Sequence, residues 1–319
     1  MGKILITGLT GQDGSYMAEI CLAKGHEVHG TMRRSSSPNS QRISEIIKSV
    51  HTHLMDLSDA TSITRVISEV KPDIIFNLAA QSDVRASYDI PVYTEDVTGL
   101  GFGRIIEAVR MFCPKAKVYQ AGSSEMFGKV QQIPQSENTP FWPRSPYGCS
   151  KVFAFSLGRA YREGYGLSIY NGILFNHESP RRGELFVTKK VVKAAVEIKK
   201  GKRTKLTLGN LESKRDWGYS KDYMQAVYDF VTTQDPQDFV IATGETHSVE
   251  EFVKETFDYI GLGDWKQYVE FDKNLTRPAE VDILLGDASK VRSLTGWKPS
   301  VTFKGLVKLM VDDEIQNFK

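Results

Sequence analysis

A doubly wound α/β fold on a parallel sheet is what this sequence predicts, and three observations predict it. Short apolar runs alternate with longer amphipathic ones from Lys3 to Ala121, in the order βαβαβαβαβ; parallel neighbours need helical crossovers of this kind. Three glycines, Gly8, Gly11 and Gly14, come after the first apolar run and open the first helix, where such sheets bind phosphate. Polar and small residues then recur where later strands end, and ligands bind at the carboxyl ends of parallel strands.

Composition allows this fold. The chain has 319 residues, 40% hydrophobic and 25% charged, enough for one large domain or two moderate ones. A formal net charge of +2 gives no global pull towards nucleic acid or an anionic membrane. Cys21, Cys113 and Cys149 are widely scattered. They suit neither a metal site nor a disulfide framework, so no metal ligands and a reducing cytoplasm are expected. The sequence opens directly into a strand without a signal-peptide pattern, and Ile6 stands where a myristoylation signal wants Ser or Thr. No apolar run approaches the ~18 residues of a membrane span.

KILITG is a short buried strand. Gly8 permits the turn after it, Gly11 lets backbone approach a pyrophosphate, and Gly14 allows close helix packing. Gly8, Leu9, Thr10, Gly11, Gln12 and Asp13 are therefore candidate cofactor contacts. The helix Gln12–Lys24 ends at Gly25, and the strand His26–Met32 completes a Rossmann-type unit. An NAD site wants an acid at the end of that second strand. Arg33, Arg34, Ser35 and Ser36 stand there instead and suit a 2′-phosphate, which favours NADP over NAD. A solvated basic loop would look the same. His53–Leu57 is the next strand, ending at Asp56, whose carboxylate can accept from an adenine amino group. After the helix Ala60–Val70 and the strand Asp73–Asn77 come Leu78, Ala79, Ala80, Gln81 and Ser82, where two alanines leave room for a cofactor. Tyr93–Phe112 is one long helix and Lys117–Ala121 the next strand.

The chemistry centres on the stretch from Ser123 to Lys151. Ser123 lies just past the strand Lys117–Ala121, and Glu125 two residues on. After the loop Ile133–Arg144, Ser145 as N-cap and Pro146 at the first position start a helix running to about Gly164. Tyr147 and Lys151 stand four apart on it and share a face. An ammonium beside a phenol favours the phenolate, so Lys151 is expected to lower the Tyr147 pKa from about 10 and make it a base. Ser123 can hold the same reacting oxygen. Glu125 is a second base that hydride transfer alone does not need, so it implies a second proton to remove. A tyrosine–lysine pair also occurs as a half-buried tyrosine beside a solvated lysine; convergence of several features on one sheet edge favours catalysis.

Beyond the strand Leu167–Leu174 the pattern changes. Phe175–Glu184 holds two arginines suited to a diphosphate. The next helix, carrying Lys189, Lys190, Lys193, Lys199, Lys200, Lys202, Arg203 and Lys205, is mainly a solvated face, with Lys190 alone a candidate near ligand. Leu206–Gly209 is a short strand, and Glu212–Tyr223 brings Arg215, Asp216 and Trp217 together. Asp238–Ala242 is a strand and Val249–Ile260 a helix. Thr276–Asp282 carries Arg277 and Glu280, a pairing most often found as a surface salt bridge. Lys290–Gly296 and Phe303–Asn317 are the last helices.

GLTGQDG, LAAQS and the run from Tyr147 to Lys151 resemble the extended short-chain dehydrogenase/reductase superfamily. GQDGSY, RRSSS, NGILFNHESPRRGE, KRDWG, KDY, DFVIATG and RPAEVD resemble, within it, the GDP-mannose 4,6-dehydratase family, from Ile4 to about Ile315. That resemblance implies a hydro-lyase acting on GDP-mannose through internal oxidation, elimination and reduction with NADP. The product, GDP-4-keto-6-deoxymannose, leads towards GDP-deoxysugars such as GDP-fucose or GDP-rhamnose. It implies that Tyr147 takes the O4 proton, that Glu125 removes the C5 proton and helps water leave C6, and that Lys151 also holds the cofactor ribose. Ser123 stands where family members usually have threonine. Gly8 through Asp13, Arg33 through Ser36, Asp56, Leu57, Leu78 through Ser82, Tyr93, Lys151, His177 and Arg182 match cofactor contacts. Ser82, Ser123, Glu125, Tyr147, Asn176, Lys190, Arg215, Arg277 and Glu280 match substrate contacts. Asp83 replaces a usual histidine, and the stretch between Trp265 and Arg277 is shorter than in many members.

The resemblance further implies a homo-oligomer, dimer or tetramer; the charge balance and the lack of a long apolar run lead to the expectation of no nucleic-acid or membrane partner. Residues 1–174 with about 211–247 are expected to form the cofactor domain, and about 175–210 with 248–319 a smaller α/β nucleotide-sugar domain. Two rivals stand beside this. One is an NADPH-dependent reductase of GDP-4-keto-6-deoxymannose, which would not need Glu125. The other is a non-catalytic NADP-binding regulator, a class that typically loses the tyrosine or lysine.

Overall fold

The computed structural model describes residues 1–36 and 39–318; Ser37, the last residue of the RRSSS motif, lies outside them. Strands β1 (Lys3–Thr7), β2 (Glu27–Met32), β3 (His51–Leu54), β4 (Ile74–Asn77), β5 (Lys117–Ala121) and β6 (Ser168–Leu174) join a seventh strand, Asp238–Ile241, in one sheet. Every pairing in it is parallel, and the order runs from the seventh strand through β6, β5, β4, β1 and β2 to β3. The winding reverses between β1 and β4. A crevice opens there at the strands' carboxyl ends, the place such a sheet keeps for a ligand. The expected doubly wound α/β class is the one observed.

Apolar burial covers both faces. Met17, Cys21, Phe76, Tyr170 and Met224 pack on one side, and Ile63, Ile67, Ile75, Phe102 and Val109 on the other. A third core, with Val191, Val192, Trp217, Phe252, Leu306 and Met310, lies in the later part of the chain. The helix Pro146–Tyr165 forms as its signals predict. The Ser145 hydroxyl accepts from the Gly148 amide at 3.0 Å, a cap worth about 1 kcal/mol, and Gly166 closes it at φ +68°.

Four expectations need correction. The third strand is His51–Leu54, not His53–Leu57, because its partner β2 ends at Met32, opposite Leu54. Met55 and Leu57 turn inward to the core instead, and Asp56 sits in the turn beyond the strand. The long helix begins at Pro91 and widens into a π-turn over Glu95–Leu100 before continuing as Gly101–Phe112. At that turn the helix presses on its neighbours: a Cβ on Gly101 would stand 2.9 Å from Leu57 Cβ. The basic helix is only Val187–Lys199, stopped by the left-handed Gly201, so Lys202, Arg203 and Lys205 lie beyond it. Among the described residues, the crossover from β2 to β3 holds only two short 3-10 turns, Gln41–Ile43 and Ile47–Ser49, where the order βαβαβαβαβ requires a helix. Ser220–Thr233, left unassigned in the sequence, is a helix burying Tyr223, Met224, Val227 and Phe230. The short paired strands Asn176–Glu178 and Trp217–Tyr219 are not legible in the sequence, since three residues carry no periodicity. Among the described residues no helix is long and apolar enough to cross a membrane.

Candidate active site

β5 delivers the catalytic candidates. Past its end the Ser123 hydroxyl accepts from the Glu125 amide at 3.2 Å and caps the short turn Ser124–Met126, which leaves Glu125 7% exposed. The helix Pro146–Tyr165 brings Tyr147 and Lys151 to the same place, 8% and 4% exposed. The Ser123 hydroxyl is near enough to the phenol to favour its ionised form.

The electrostatics differ from the expectation. Burial pushes the Tyr147 phenol up to about 12; Ser123 opposes this, and the charge of Glu125 adds to it. Lys151 does not lower it. Its Nζ lies 5.7 Å from the Tyr147 ring centroid and donates to the Ala121 carbonyl at 2.6 Å. Burial brings Lys151 itself down to about 8 against the pull of Asp13. The shared helix face is real, but the lysine reaches across to β5 rather than along the helix.

Glu125 is ion-paired. Its Oε1 lies 3.1 Å from Arg277 Nη1, which is 3.9 Å from Glu280 Oε1, and Glu280 in turn stands 3.5 Å from Arg215 Nη2. The Arg277–Glu280 pair is thus no surface bridge; four charged side chains form one partly buried chain. Arg215 is 6% exposed and also donates to the Val281 carbonyl at 2.7 Å. Asn176 sits on the short strand beside Trp217. Lys190 is exposed on its helix, outside this cluster.

The glycine loop has the shape of a phosphate cradle. Gly8 has φ +70°, and a Cβ there would lie 3.0 Å from the Ala79 backbone; one on Gly14 would fall 2.2 Å from the Gly8 carbonyl. Gly11, the N-cap of helix Gln12–Ala23, has no side-chain cap, so the first-turn amides face outward. Beneath the crevice a buried ladder fixes the strand ends. Thr7 Oγ1 donates to Asn77 Oδ1 and Asn77 Nδ2 to Gln120 Oε1, each at 2.6 Å, while the Leu78 and Ala79 amides donate to Thr7 at 3.1 Å. Arg42 Nη1 donates to the Thr10 carbonyl at 3.2 Å. Sequence reasoning picks out neither the ladder nor Arg42; a Thr, Asn or Gln at each strand's carboxyl end is the available signal for the ladder.

Several candidates pair with one another. Asp13 accepts from Ser220 Oγ at 2.8 Å and lies 2.9 Å from His177 Nε2. His177 Nδ1 lies 2.7 Å from the Phe175 carbonyl. Both ring nitrogens face acceptors, so the ring is held as imidazolium. Burial opposes that charge, but the Asp13 carboxylate wins and the His177 pKa is raised. Burial likewise opposes the Asp13 charge, yet His177 and Ser220 hold the carboxyl well below its usual range. Asp13 contributes stability above its ordinary 3.8 that is lost only in stronger acid. His177 contributes stability that is full below 6.5 and is lost as pH rises through its raised folded value. The melting temperature should therefore fall as pH rises above about 6.5, and His177→Gln should flatten that slope in calorimetry. An unaltered slope in the variant would remove the pair from the account.

Arg33 Nη1 donates to Tyr93 OH at 2.5 Å, and Arg34 to the Ser35 carbonyl. Asp56 accepts from the Ser58 amide and hydroxyl at 2.9 and 2.7 Å. Gln81 and Ser82 come after β4, Ser82 exposed; the Gln81 amide donates to Thr98. Asp83 caps the next turn, accepting from the Ala86 amide at 3.0 Å. The two arginines at 181 and 182 are not a free diphosphate fork. Arg181 holds Glu19, Ser15 and the Tyr16 ring, and Arg182 lies 3.0 Å from Glu178 and 3.6 Å over the Phe186 ring.

Comparison with known proteins gives the family. The family described as GDP-mannose 4,6 dehydratase matches residues 5–310. GDP-mannose 4,6 dehydratase 2 of Arabidopsis thaliana is 53% identical over 324 residues, 98% of this chain and 86% of that protein. Among solved structures, the UDP-glucose 4-epimerase of Thermus thermophilus, in complex with NAD, superposes with a TM-score of 0.87 at 25% identity, covering 99% of this chain and 100% of that one. RMD of Pseudomonas aeruginosa, complexed with NADPH, gives 0.82 at 21% identity over 99% of each chain. With a family match over nearly the whole sequence, and a tyrosine, lysine, serine and glutamate gathered at the carboxyl edge of such a sheet, this chain belongs to the GDP-mannose 4,6-dehydratase family.

Proposed function

We propose that this protein is a GDP-mannose 4,6-dehydratase, converting GDP-mannose to GDP-4-keto-6-deoxymannose and water. The observation that carries this is Glu125, a buried carboxylate beside Tyr147 and Ser123. An enzyme that only moved hydride would have no use for it. The ketone formed at C4 acidifies the C5 proton; Glu125 takes that proton and returns one to the hydroxyl leaving C6, and the C5–C6 alkene so formed would take back at C6 the hydride removed from C4 and at C5 a proton from solvent. Ser123 and Tyr147 hold the O4 oxygen. Glu125 must first leave Arg277, and a diphosphate competing for Arg277 and Arg215 would release it.

The cradle of Gly8 to Asp13, open at a helix N-terminus, fits a dinucleotide. Bound there in oxidised form, NADP would supply the hydride acceptor, and its positive charge would favour the Tyr147 phenolate. The fold neighbours carry NAD in one case and NADPH in the other, so the fold does not choose between them. Arg33 and Arg34 support NADP. Arg33→Ala is expected to weaken NADP binding about 10- to 100-fold, the size of a lost charge-assisted hydrogen bond, and NAD binding by less than about threefold. Equal losses for both, in fluorescence titration, would remove the 2′-phosphate from the Arg33 site.

Two further parts of the reading are proposals. Residues 1–174 with 211–247 hold the cofactor, and the remainder holds the GDP-sugar. The chain acts as a cytoplasmic homo-oligomer; Leu100, Met111, Phe153 and Tyr165 are exposed apolar residues on two adjacent helices that self-association would cover.

Turnover decides the function. GDP-mannose incubated in D2O with catalytic NADP+ should lose one water and gain one solvent deuterium at C5, with no net NADPH. Unchanged GDP-mannose, together with NADPH consumption on the 4-keto product, would transfer the assignment to the reductase.

A further inference from the structure

The outer edge of the sheet gathers four side chains that the proposed reaction does not use. β2 and β3 pair in parallel with His29 opposite His51 and Thr31 opposite His53. Residues two apart on a strand share a face, and directly paired residues point to the same side. Glu27, His29, His51 and His53 therefore stand together. Ligand atoms of Glu27, His29 and His51 all lie within 4.8 Å of one another. His29, 9% exposed, is the fixed member. Its Nε2 lies 2.8 Å from Glu27 Oε1 and its Nδ1 2.9 Å from His53 Nε2. The His51 ring stacks on it at 4.8 Å between centroids.

We propose that Glu27, His29 and His51 form a binding site for a divalent transition metal ion of the zinc, nickel and copper class, with His53 as a positioning residue. Two imidazoles and a carboxylate suit those ions, whereas magnesium and calcium ask for oxygen ligands throughout. Tetrahedral zinc with bonds of about 2.1 Å sets its donors about 3.4 Å apart, so no pair need close by more than about 1.4 Å. Glu27 and His51 are exposed and have room to rotate; His29 need not move. With Nε2 on the metal, His29 Nδ1–H donates to His53. This is the outer hydrogen bond that fixes the tautomer of a ligating histidine. Water completes the coordination on the open side. The ion ties β3, the last strand of the sheet, to β2, whose end leads to Arg33.

The scattered cysteines give no reason to expect a metal, and neither half of the site stands out by itself. Glu27-x-His29 lies on β2 and His51-x-His53 on β3, and each is an ordinary alternation along a strand. The pairing of β2 with β3 is what joins them.

Untagged, chelator-stripped full-length protein should bind Zn2+ at one equivalent with micromolar affinity in calorimetry. Loading should also raise the melting temperature. Co2+ should give visible ligand-field bands without thiolate charge transfer. His51→Ala and Glu27→Gln, both exposed and outside the active site, should each weaken Zn2+ binding about tenfold or more, and His53→Asn about 10- to 100-fold. Absence of a stoichiometric ion would overturn the proposal. So would affinity unchanged in His51→Ala and Glu27→Gln, or a thiolate band placing the ion on a cysteine.

Discussion

Glu125→Gln is expected to lower kcat for GDP-mannose about 10²- to 10⁴-fold, the range of a lost general base. The block should fall after the first hydride transfer, because removing the O4 proton does not involve Glu125. Stopped-flow absorbance should then show reduced cofactor accumulating towards one equivalent per site without decay, and no deuterium at C5. The variant also breaks the ion pair with Arg277, 3.1 Å away, which leaves Arg277 facing Glu280 alone. Substrate affinity is therefore the control: a structural role would change KM, whereas loss of the base changes kcat. Retention of about a tenth of the wild-type kcat would remove Glu125 from the C5 step.

Tyr147→Phe should cost a similar factor but stop the reaction one step earlier, with no reduced cofactor accumulating. The two variants are thereby distinguished by one trace. The pH dependence follows from the site. A base must be deprotonated, so the rate should rise with pH to a plateau. With burial pushing Tyr147 up to about 12 and Lys151 held on the Ala121 carbonyl, the protein alone keeps the phenol protonated at neutral pH. Phenolate absorbance should appear well below that value only once oxidised cofactor is added. The same titration curve with and without cofactor would contradict electrostatic activation of Tyr147.

How far the fold is legible depends on particular residues. Elements with strong end signals lie within a residue or two of their expected bounds, as with Ser145, Pro146 and Gly166 around the catalytic helix. The third strand lies earlier than expected because Met55 and Leu57 are apolar yet serve the core from a turn, a distinction set by where β2 ends. The helix Ser220–Thr233 escapes notice because its first turn overlaps a motif rich in polar residues. Its apolar face is evident only against the helix Gln12–Ala23, which it packs on.

Local sequence suffices for the seven strands of the parallel sheet in their order along the chain, for the glycine cradle, and for placing Tyr147, Lys151, Ser123 and Glu125 at strand and helix ends. These rest on periodicity, caps and spacing, which act over a few residues. The partners of the charges were chosen by long-range folding. Asp13 meets His177 across 164 positions and Glu125 meets Arg277 across 152. Lys151 turns to Ala121, and His29 meets His51 and His53 across a strand pair. Electrostatic and hydrogen-bond energies depend on distance in space and on burial, and neither is a property of any one stretch of chain.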